Sequence, residues 1–192
     1  MNEKKLILAS GSPRRREILE SAGYIFSVTT PESEEVSEGE SPQEIAKKNS
    51  YLKSLAALKI CSGVIICADT VVALDGTVLG KPRDEDDAKR MLTALSGREH
   101  SVFTGFTVTD GEKTISDFCE TKVKMRPILA DEIDGYIATK SPLDKAGAYG
   151  IQDAAGMFVT EIVGDYYNVV GLPISRISEI LRSSFGIRAF MK

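Results

Sequence analysis

The sequence predicts an α/β domain with a mixed sheet, pinched into two lobes with a cleft between them. Three observations predict it. Short apolar, β-branched runs alternate with stretches of helical spacing over the first half of the chain. Val64-Ile65-Ile66-Cys67-Ala68 and Val71-Val72-Ala73-Leu74 read as one buried strand with the polar pair Asp69-Thr70 in its middle. Asp110-Gly111 then separates two strand-like segments, residues 99–109 and 112–126, and this hairpin signal brings antiparallel pairing into the sheet. At 192 residues the chain can bury one sizeable core and a second lobe. It has no internal repeat, low-complexity run or linker, so residues 1–192 are read as a single domain.

Taken in order, Leu6-Ile7-Leu8-Ala9 is an apolar strand that runs into Ser10-Gly11-Ser12 and then a helix. Ser12 fits the N-cap and Pro13 the first helical position, where a missing N–H costs nothing. Ile18, Leu19 and Ala22 give this helix its apolar face. Ile25, Phe26 and Val28 suggest a short second strand, and residues 29–42 a polar, acidic loop. Ser41-Pro42 opens a second helix running to about Leu58, with Ile45, Leu52, Leu55 and Ala56 expected inward. After the long strand, Asp75-Gly76 makes a turn, Gly80-Lys81-Pro82 ends the excursion, and Asp84 caps a helix carrying Ala88, Met91, Leu92 and Leu95 until Gly97 stops it. In the hairpin, Cys119, Thr121, Val123 and Met125 share one face, with Glu120, Lys122 and Lys124 on the other. A short helix follows near Glu132–Thr139, then the glycine-punctuated segment 144–152, two strands meeting at Gly164-Asp165, and a last helix from Pro173 with Ile174, Ile177, Ile180 and Leu181 inward.

Composition narrows the function. A formal net charge of −4 leaves no face-wide basic excess for a nucleic-acid groove. Cys61, Cys67 and Cys119 are odd in number and show no CxxC spacing, and Cys67 in an apolar run and Cys119 in an alternating one read as packed thiols in a reducing compartment. The apolar stretch before Ser10 is too short for a signal peptide or a membrane span. A cytoplasmic protein is expected, with neither nucleic acid nor membrane as partner.

The residues that could do chemistry begin at the first strand-to-helix junction. Arg14, Arg15 and Arg16 stand at an N-terminus that is already electropositive, where cations are unfavourable unless an anion sits among them. Exposed N–H groups, the hydroxyls of Ser10 and Ser12 and guanidinium forks together suit a phosphate; the plain alternative is a solvated, charged helix start. Asp69 would be costly to bury unpaired, so it meets a cation, a set of donors or a metal, or it reaches a cleft; an Asp bonding its own backbone at a strand kink is the structural alternative. Residues 76–82 superficially suggest a P-loop and fail it: the glycines are one residue too close, and Pro82 stands where a Ser/Thr should hold magnesium. Lys81 is thus a phosphate-binding or a solvated turn lysine, and Lys53 on the second helix reads first as a surface lysine. Glu34 or Glu35, brought near Asp69, would complete a hard-oxygen magnesium site with substrate phosphates. His100 is the only histidine, with no nucleophile elbow in view, which removes triad chemistry and a His-rich metal site.

Ser10-Gly11-Ser12-Pro13-Arg14-Arg15 with Ile18-Leu19, Ala68-Asp69-Thr70-Val71-Val72, Leu79-Gly80-Lys81-Pro82, Asp144 through Gln152 and Val170-Gly171-Leu172-Pro173 together resemble the Maf family of nucleoside triphosphate pyrophosphatases, named for an effect on septum formation. The resemblance covers nearly the whole chain, in order. It implies an elongated α/β fold with a cleft, similar to inosine triphosphate pyrophosphatases, with homodimers common. It also implies metal-dependent hydrolysis of a nucleoside triphosphate to its monophosphate and pyrophosphate. Thr70 and Gln152 look like the branch acting on dTTP and UTP, with Arg14, Thr70 and Gln152 as specificity positions. Asp69 is then the catalytic acceptor, and Ser10, Arg14, Glu34, Lys53 and Lys81 line the phosphate and metal region. Glu34 is placed by spacing to Ser41-Pro42 alone, and Glu35 is the other choice. The helix segment 47–54 departs from the family's Leu-Ala-x-x-Lys-Ala pattern.

On this basis Asp69 is expected to bind or deprotonate the attacking water through Mg²⁺ or Mn²⁺ shared with Glu34. The junction donors from Ser10 to Arg15, with Lys53 and Lys81, hold the β and γ phosphates, and Gln152 offers the donor and acceptor that a uracil or thymine edge requires. Modified uridine triphosphates present the same edge. A nucleotide-binding regulator of cell division without significant hydrolysis is the alternative, and a phosphomonoesterase is a third class, distinguished by whether phosphate or pyrophosphate leaves.

Overall fold

The computed structural model of the chain describes residues 5–36 and 41–190. The first four residues and residues 37–40 of the predicted acidic loop lie outside the described residues. One mixed sheet holds β1 (Leu6–Ala9), β2 (Ser27–Thr29), β3 (Val64–Leu74), β4 (Thr77–Leu79), β5 (Glu99–Thr109), β6 (Thr114–Met125) and β7 (Val159–Val163) in the order β2-β1-β3-β5-β6-β7. β1 runs parallel to β2 and β3; β5, β6 and β7 follow antiparallel.

The cleft follows from how β3 is paired along one edge. Its first residues, Val64–Ile66, pair with β1, and its last, Val72–Leu74, pair with β4. Between these two partners the edge at Asp69-Thr70 lies open, at the carboxyl end of the parallel strands, where open α/β sheets take their ligands. Two separate cores flank the gap. One gathers β1, Ile18 and Leu19 of α1 (Pro13–Ser21), Phe106, and Ile177 and Leu181 at the end of the chain. The other gathers Leu74 and Leu79, α3 (Glu85–Leu95), Val102, Val123, α4 (Ala130–Ala138) and Phe158. The predicted two lobes are these two cores.

Helix α2 (Pro42–Leu58) covers the opposite face of the sheet, and here the expected packing is wrong. Its buried residues are Ile45, Ala46, Asn49, Ser50, Ser54 and Ala57, whereas Leu55 is 40% exposed and Leu52 and Ala56 are only partly covered. The physical reason is Gly105 of β5. A Cβ there would lie 2.2 Å from the Ala46 carbonyl, so the helix backbone rests directly on the strand at this point, and the buried residues around the contact, Ala46, Asn49 and Ser50, are small or polar. Ser50 bonds Thr107 Oγ1 at 2.9 Å and its own helix at Lys47 O, so burying it leaves no orphan.

Three smaller differences have local causes. Ser12 occupies the N-cap of α1, but its hydroxyl makes no capping bond; Ser10 Oγ instead accepts the Ser12 N–H at 3.3 Å. After Gly164 the chain forms helix α5 (Tyr166–Val170) rather than a strand, because Asp165 accepts the Tyr167 N–H at 2.8 Å and Asn168 is drawn inward to Val102 O and Thr121. The last helix, α6 (Ile174–Ile180), ends in a π-helical turn over Leu181–Phe185. All three cysteines are free thiols, and burial pushes Cys67 up to about 12. No helix among the described residues is long and apolar enough to cross a membrane.

Candidate active site

The open edge of β3 forms the floor of a cleft of about 800 Å³, walled by the β1–α1 junction, residues 30–36, α2, the Gly80-Lys81 turn and residues 144–152. Side chains alternate along a strand, so Asp69 faces α2 while Thr70 faces the opposite side. Asp69 is 8% exposed and takes one donor on each carboxylate oxygen. Lys53 Nζ reaches Oδ1 at 2.5 Å, and Asn49 Nδ2 reaches Oδ2 at 3.1 Å. Ala46, Asn49 and Lys53 recur at helical spacing, so the same contact with Gly105 that brings Ala46 down brings the other two over Asp69, which pairs with Gly105 in register.

Lys53 also reaches Glu35 Oε1 at 2.7 Å, so one ammonium bridges two carboxylates. Of the two acidic-loop candidates, Glu35 lines the cleft and Glu34 is not among its lining residues. Two carboxylates beside a space for phosphates fit a hard divalent cation that takes its remaining ligands from substrate and water. Among the described residues no group of three potential metal ligands stands ready-made.

At the β1–α1 junction the two arginines part ways. Arg15 spends its fork within the protein: Nε donates to Gly171 O at 2.8 Å, Nη1 to Ser10 Oγ and Nη2 to Thr70 Oγ1, both at 3.1 Å. Burial lowers its pKa, against the pull of the Asp69 charge. It rivets three segments together rather than presenting a free fork. Ser10 Oγ, already accepting from Arg15 and from the Ser12 N–H, has only its own proton left to give, a donor for an anion in the cleft. Thr70 is likewise committed, to Arg15 and to Thr104 Oγ1 at 2.9 Å. Arg14 crosses the mouth of the cleft to Asp144 at 3.3 Å. Lys81 is exposed on the cleft wall and makes no hydrogen bond or ion pair to a described residue, and Gln152 is exposed in the same state at the far end.

The far wall is the glycine-punctuated segment. Gly147 N–H bonds Gly80 O at 3.0 Å, and Ala148 takes a left-handed φ of 61° that turns Tyr149 inward. Tyr149 Oη meets His100 Nε2 at 2.8 Å, both buried. Burial drives His100 down to about 4 and raises Tyr149, so the pair is neutral at physiological pH. Lys145 holds Asp144 at 2.6 Å and lies 3.5 Å from Asp153, which in turn accepts from Tyr136 and Ser141. Asn49, Tyr149 and Lys145 were not singled out from sequence. Only the helical spacing of Asn49 to Lys53 carried a signal, and that spacing depends on knowing which face of α2 is inward.

Known proteins bear the same pattern. The sequence model of the family described as "Maf-like protein" matches residues 5–184. A "dTTP/UTP pyrophosphatase" of Dictyoglomus thermophilum is 47% identical over 184 residues, covering 93% of this chain and 95% of its own length. Proteins of the same name from Bacillus cereus and Clostridioides difficile are 46% and 44% identical, covering 94% and 96% of this chain and 90% and 97% of their own. With a cleft opened by the split pairing of β3 and a family match that spans both of its lobes, the chain belongs to the Maf family.

Proposed function

We propose that this chain hydrolyses dTTP and UTP to the nucleoside monophosphate and pyrophosphate in the cleft over Asp69, the activity that the names of its relatives carry. The observation that most supports the reading is Asp69 itself: a buried carboxylate held by two donors, beside a cleft with a free lysine and a free hydroxyl proton on its walls.

Cleavage between the α and β phosphates needs a water aimed at the α phosphorus and charge neutralisation on the leaving pyrophosphate. Each Asp69 oxygen spends one lone pair on Asn49 or Lys53 and keeps another for the water, whose proton it takes. Lys53 keeps Asp69 and Glu35 together, its ammonium bridging the two carboxylates. Lys81, the Ser10 hydroxyl and the first N–H groups of α1 bind the β and γ phosphates. Arg15 keeps Ser10 and Thr70 in place, and Arg14 turns from Asp144 to the substrate. Gln152 reads the uracil or thymine edge, and modified uridine triphosphates present the same edge. Mg²⁺ or Mn²⁺ bound by Asp69 and Glu35, the latter in place of Glu34, would supply further phosphate neutralisation and a more acidic water. The protein is expected to act as a cytoplasmic homodimer.

Product analysis with Mg²⁺ or Mn²⁺ tests this. Pyrophosphate and monophosphate are expected from dTTP and UTP, with Asp69→Asn lowering turnover by about 10²–10⁴-fold. Release of inorganic phosphate, a purine preference, or tight binding without turnover overturns the reaction, the base assignment or the enzyme reading respectively.

A further inference from the structure

Asn49 is 3% exposed and uses every hydrogen-bonding position but one. Its Oδ1 accepts the Val36 N–H at 2.7 Å, and its Nδ2 donates both to Val36 O at 2.9 Å and to Asp69 Oδ2 at 3.1 Å. The orientation is fixed by the partners, since one backbone N–H faces one side of the amide and two acceptors face the other. The side chain therefore pairs with Val36 as a neighbouring strand would, while its second N–H reaches the carboxylate on the sheet.

Val36 immediately follows Glu35 and ends a described stretch, residues 30–36, that has no regular secondary structure. Among the described residues, the acidic side chains of this stretch are otherwise tied by the ion pair of Glu35 with Lys53. A lysine amine is a point charge on a flexible stem and holds distance better than direction. The paired amide of Asn49 supplies direction: it fixes the backbone one residue from Glu35 relative to the oxygens of Asp69.

We propose that Asn49 is a positioning residue for this reaction, clamping Val36 to Asp69 so that the Glu35 and Asp69 carboxylates stand in working register before substrate arrives. The proposal rests on the assignment of Asp69 as the catalytic group. The two carboxylates come from segments with no mutual backbone pairing, β3 and an irregular loop, and Asn49 is the one described side chain hydrogen-bonded to both segments by a neutral, directional group.

The test compares Asn49→Leu, which keeps the branched shape and heavy-atom count of the side chain, and Asn49→Asp, which keeps the acceptor for Val36 N–H and removes both donors. Ser50→Ala is the control, a buried change on the same face of α2 that touches Thr107 instead of the cleft. Both Asn49 variants are expected to lower kcat by about 10- to 100-fold and to raise the Mg²⁺ concentration needed for half-maximal activity, with KM for dTTP changed far less. In nucleotide-free protein the Val36 amide of Asn49→Leu exchanges about tenfold faster or more, while Ile65, Ile66 and Cys67 keep their protection. Ser50→Ala keeps wild-type kcat and Val36 exchange. Should Asn49→Leu lose the protection of β3 as well, Asn49→Asp alone decides the matter through kcat and Mg²⁺ dependence. Wild-type kcat in the Asn49 variants, or unchanged Val36 exchange in a folded Asn49→Leu, overturns the proposal. Wild-type protein that releases no pyrophosphate overturns the assignment of Asp69 instead, so the two failures are distinct.

Discussion

The two ends of the cleft are built on opposite principles. Over Asp69 the polar groups at the sheet are few, buried and mutually paired: Asn49 and Asp69 are almost inaccessible and Lys53 is 17% exposed, and only Glu35, on the loop above them, is open to solvent at 58%. At the mouth, Arg14, Asp144, Lys145 and Asp153 form a chain of ion pairs centred on Asp144, which is 64% exposed and is flanked by the partly exposed Arg14 and the more deeply seated Lys145. Charges interact more strongly where water is excluded, and groups fixed there need no reorganisation as a reaction proceeds. Exposed pairs are worth little and re-form easily. The comparison teaches that the chemistry is set in a rigid, dry end, while substrate is admitted and sorted at a wet end that exchanges partners cheaply. Lobe for lobe this matches the packing, since α2 lies in direct contact with the sheet under Gly105, whereas the mouth is made of glycine-rich turns.

The largest effect is expected from breaking the dry end without touching a polar group. In Gly105→Ala the new methyl would sit 2.2 Å from Ala46 C and O and 2.4 Å from Lys47 N. These are backbone atoms, so the helix itself must move, and Asn49 and Lys53 move with it. A shift on the order of 1 Å costs about 10²-fold in kcat, and overpacking costs about 1–3 kcal/mol of stability. Steady-state kinetics and thermal unfolding measure both. A variant that loses stability yet keeps kcat would show that the register of α2 over Asp69 does not set the rate.

The same glycine explains why sequence showed some of the site and hid the rest. Asp69 was conspicuous because it interrupts the apolar run of β3, and the β1–α1 junction because three arginines follow a serine-glycine turn. Those signals are local. Leu52 and Leu55 point a sequence reading to the wrong side of α2, because the contact that decides its inward face is a missing side chain on a distant strand, Gly105 against Ala46. Without that face, Asn49 looks like an ordinary polar helix residue. Arg15 looked free for phosphate because its three acceptors, Gly171, Ser10 and Thr70, belong to three different segments. Tyr166-Tyr167-Asn168-Val169-Val170 has the composition of a strand, but Asp165 caps it and Asn168 finds partners on β5 and β6, so tertiary contacts override local preference.

A middle-sized effect should come from the one dry anchor of the wet end, His100 on Tyr149. The folded protein binds the His100 proton only near pH 4, against an ordinary value of 6.5. As pH falls from 6.5 toward 4 the unfolded chain takes up a proton that the folded chain refuses, so stability present above pH 6.5 is lost across that window, by up to about 3 kcal/mol. His100→Gln removes this titration. Its melting temperature should lie below wild type at pH 7, with the difference shrinking as the pH is lowered to 4.5. A difference that stays constant across the window would mean that His100 is not buried neutral, and that the far wall is as wet as the mouth.

The smallest effect is expected at the mouth itself. Asp144 is held below the usual carboxylate range, against its partial burial, by Lys145 and Arg14. Its pair with Arg14 at 3.3 Å is long and open to water. Asp144→Ala should therefore change stability by less than about 1 kcal/mol. The kinetic consequence is more telling than the energy. Arg14 must leave Asp144 to meet a nucleotide, so removing the competitor should lower KM for dTTP, by no more than about fivefold, with kcat unchanged. Screening weakens both the ion pair and its loss, so the advantage should fade as ionic strength rises from 10 mM to about 1 M, where the Debye length shrinks to about 3 Å. A higher KM in the variant would reverse the meaning of the contact. Asp144 would then be the group that aims Arg14 at the substrate, and the mouth would share the preorganisation of the buried end.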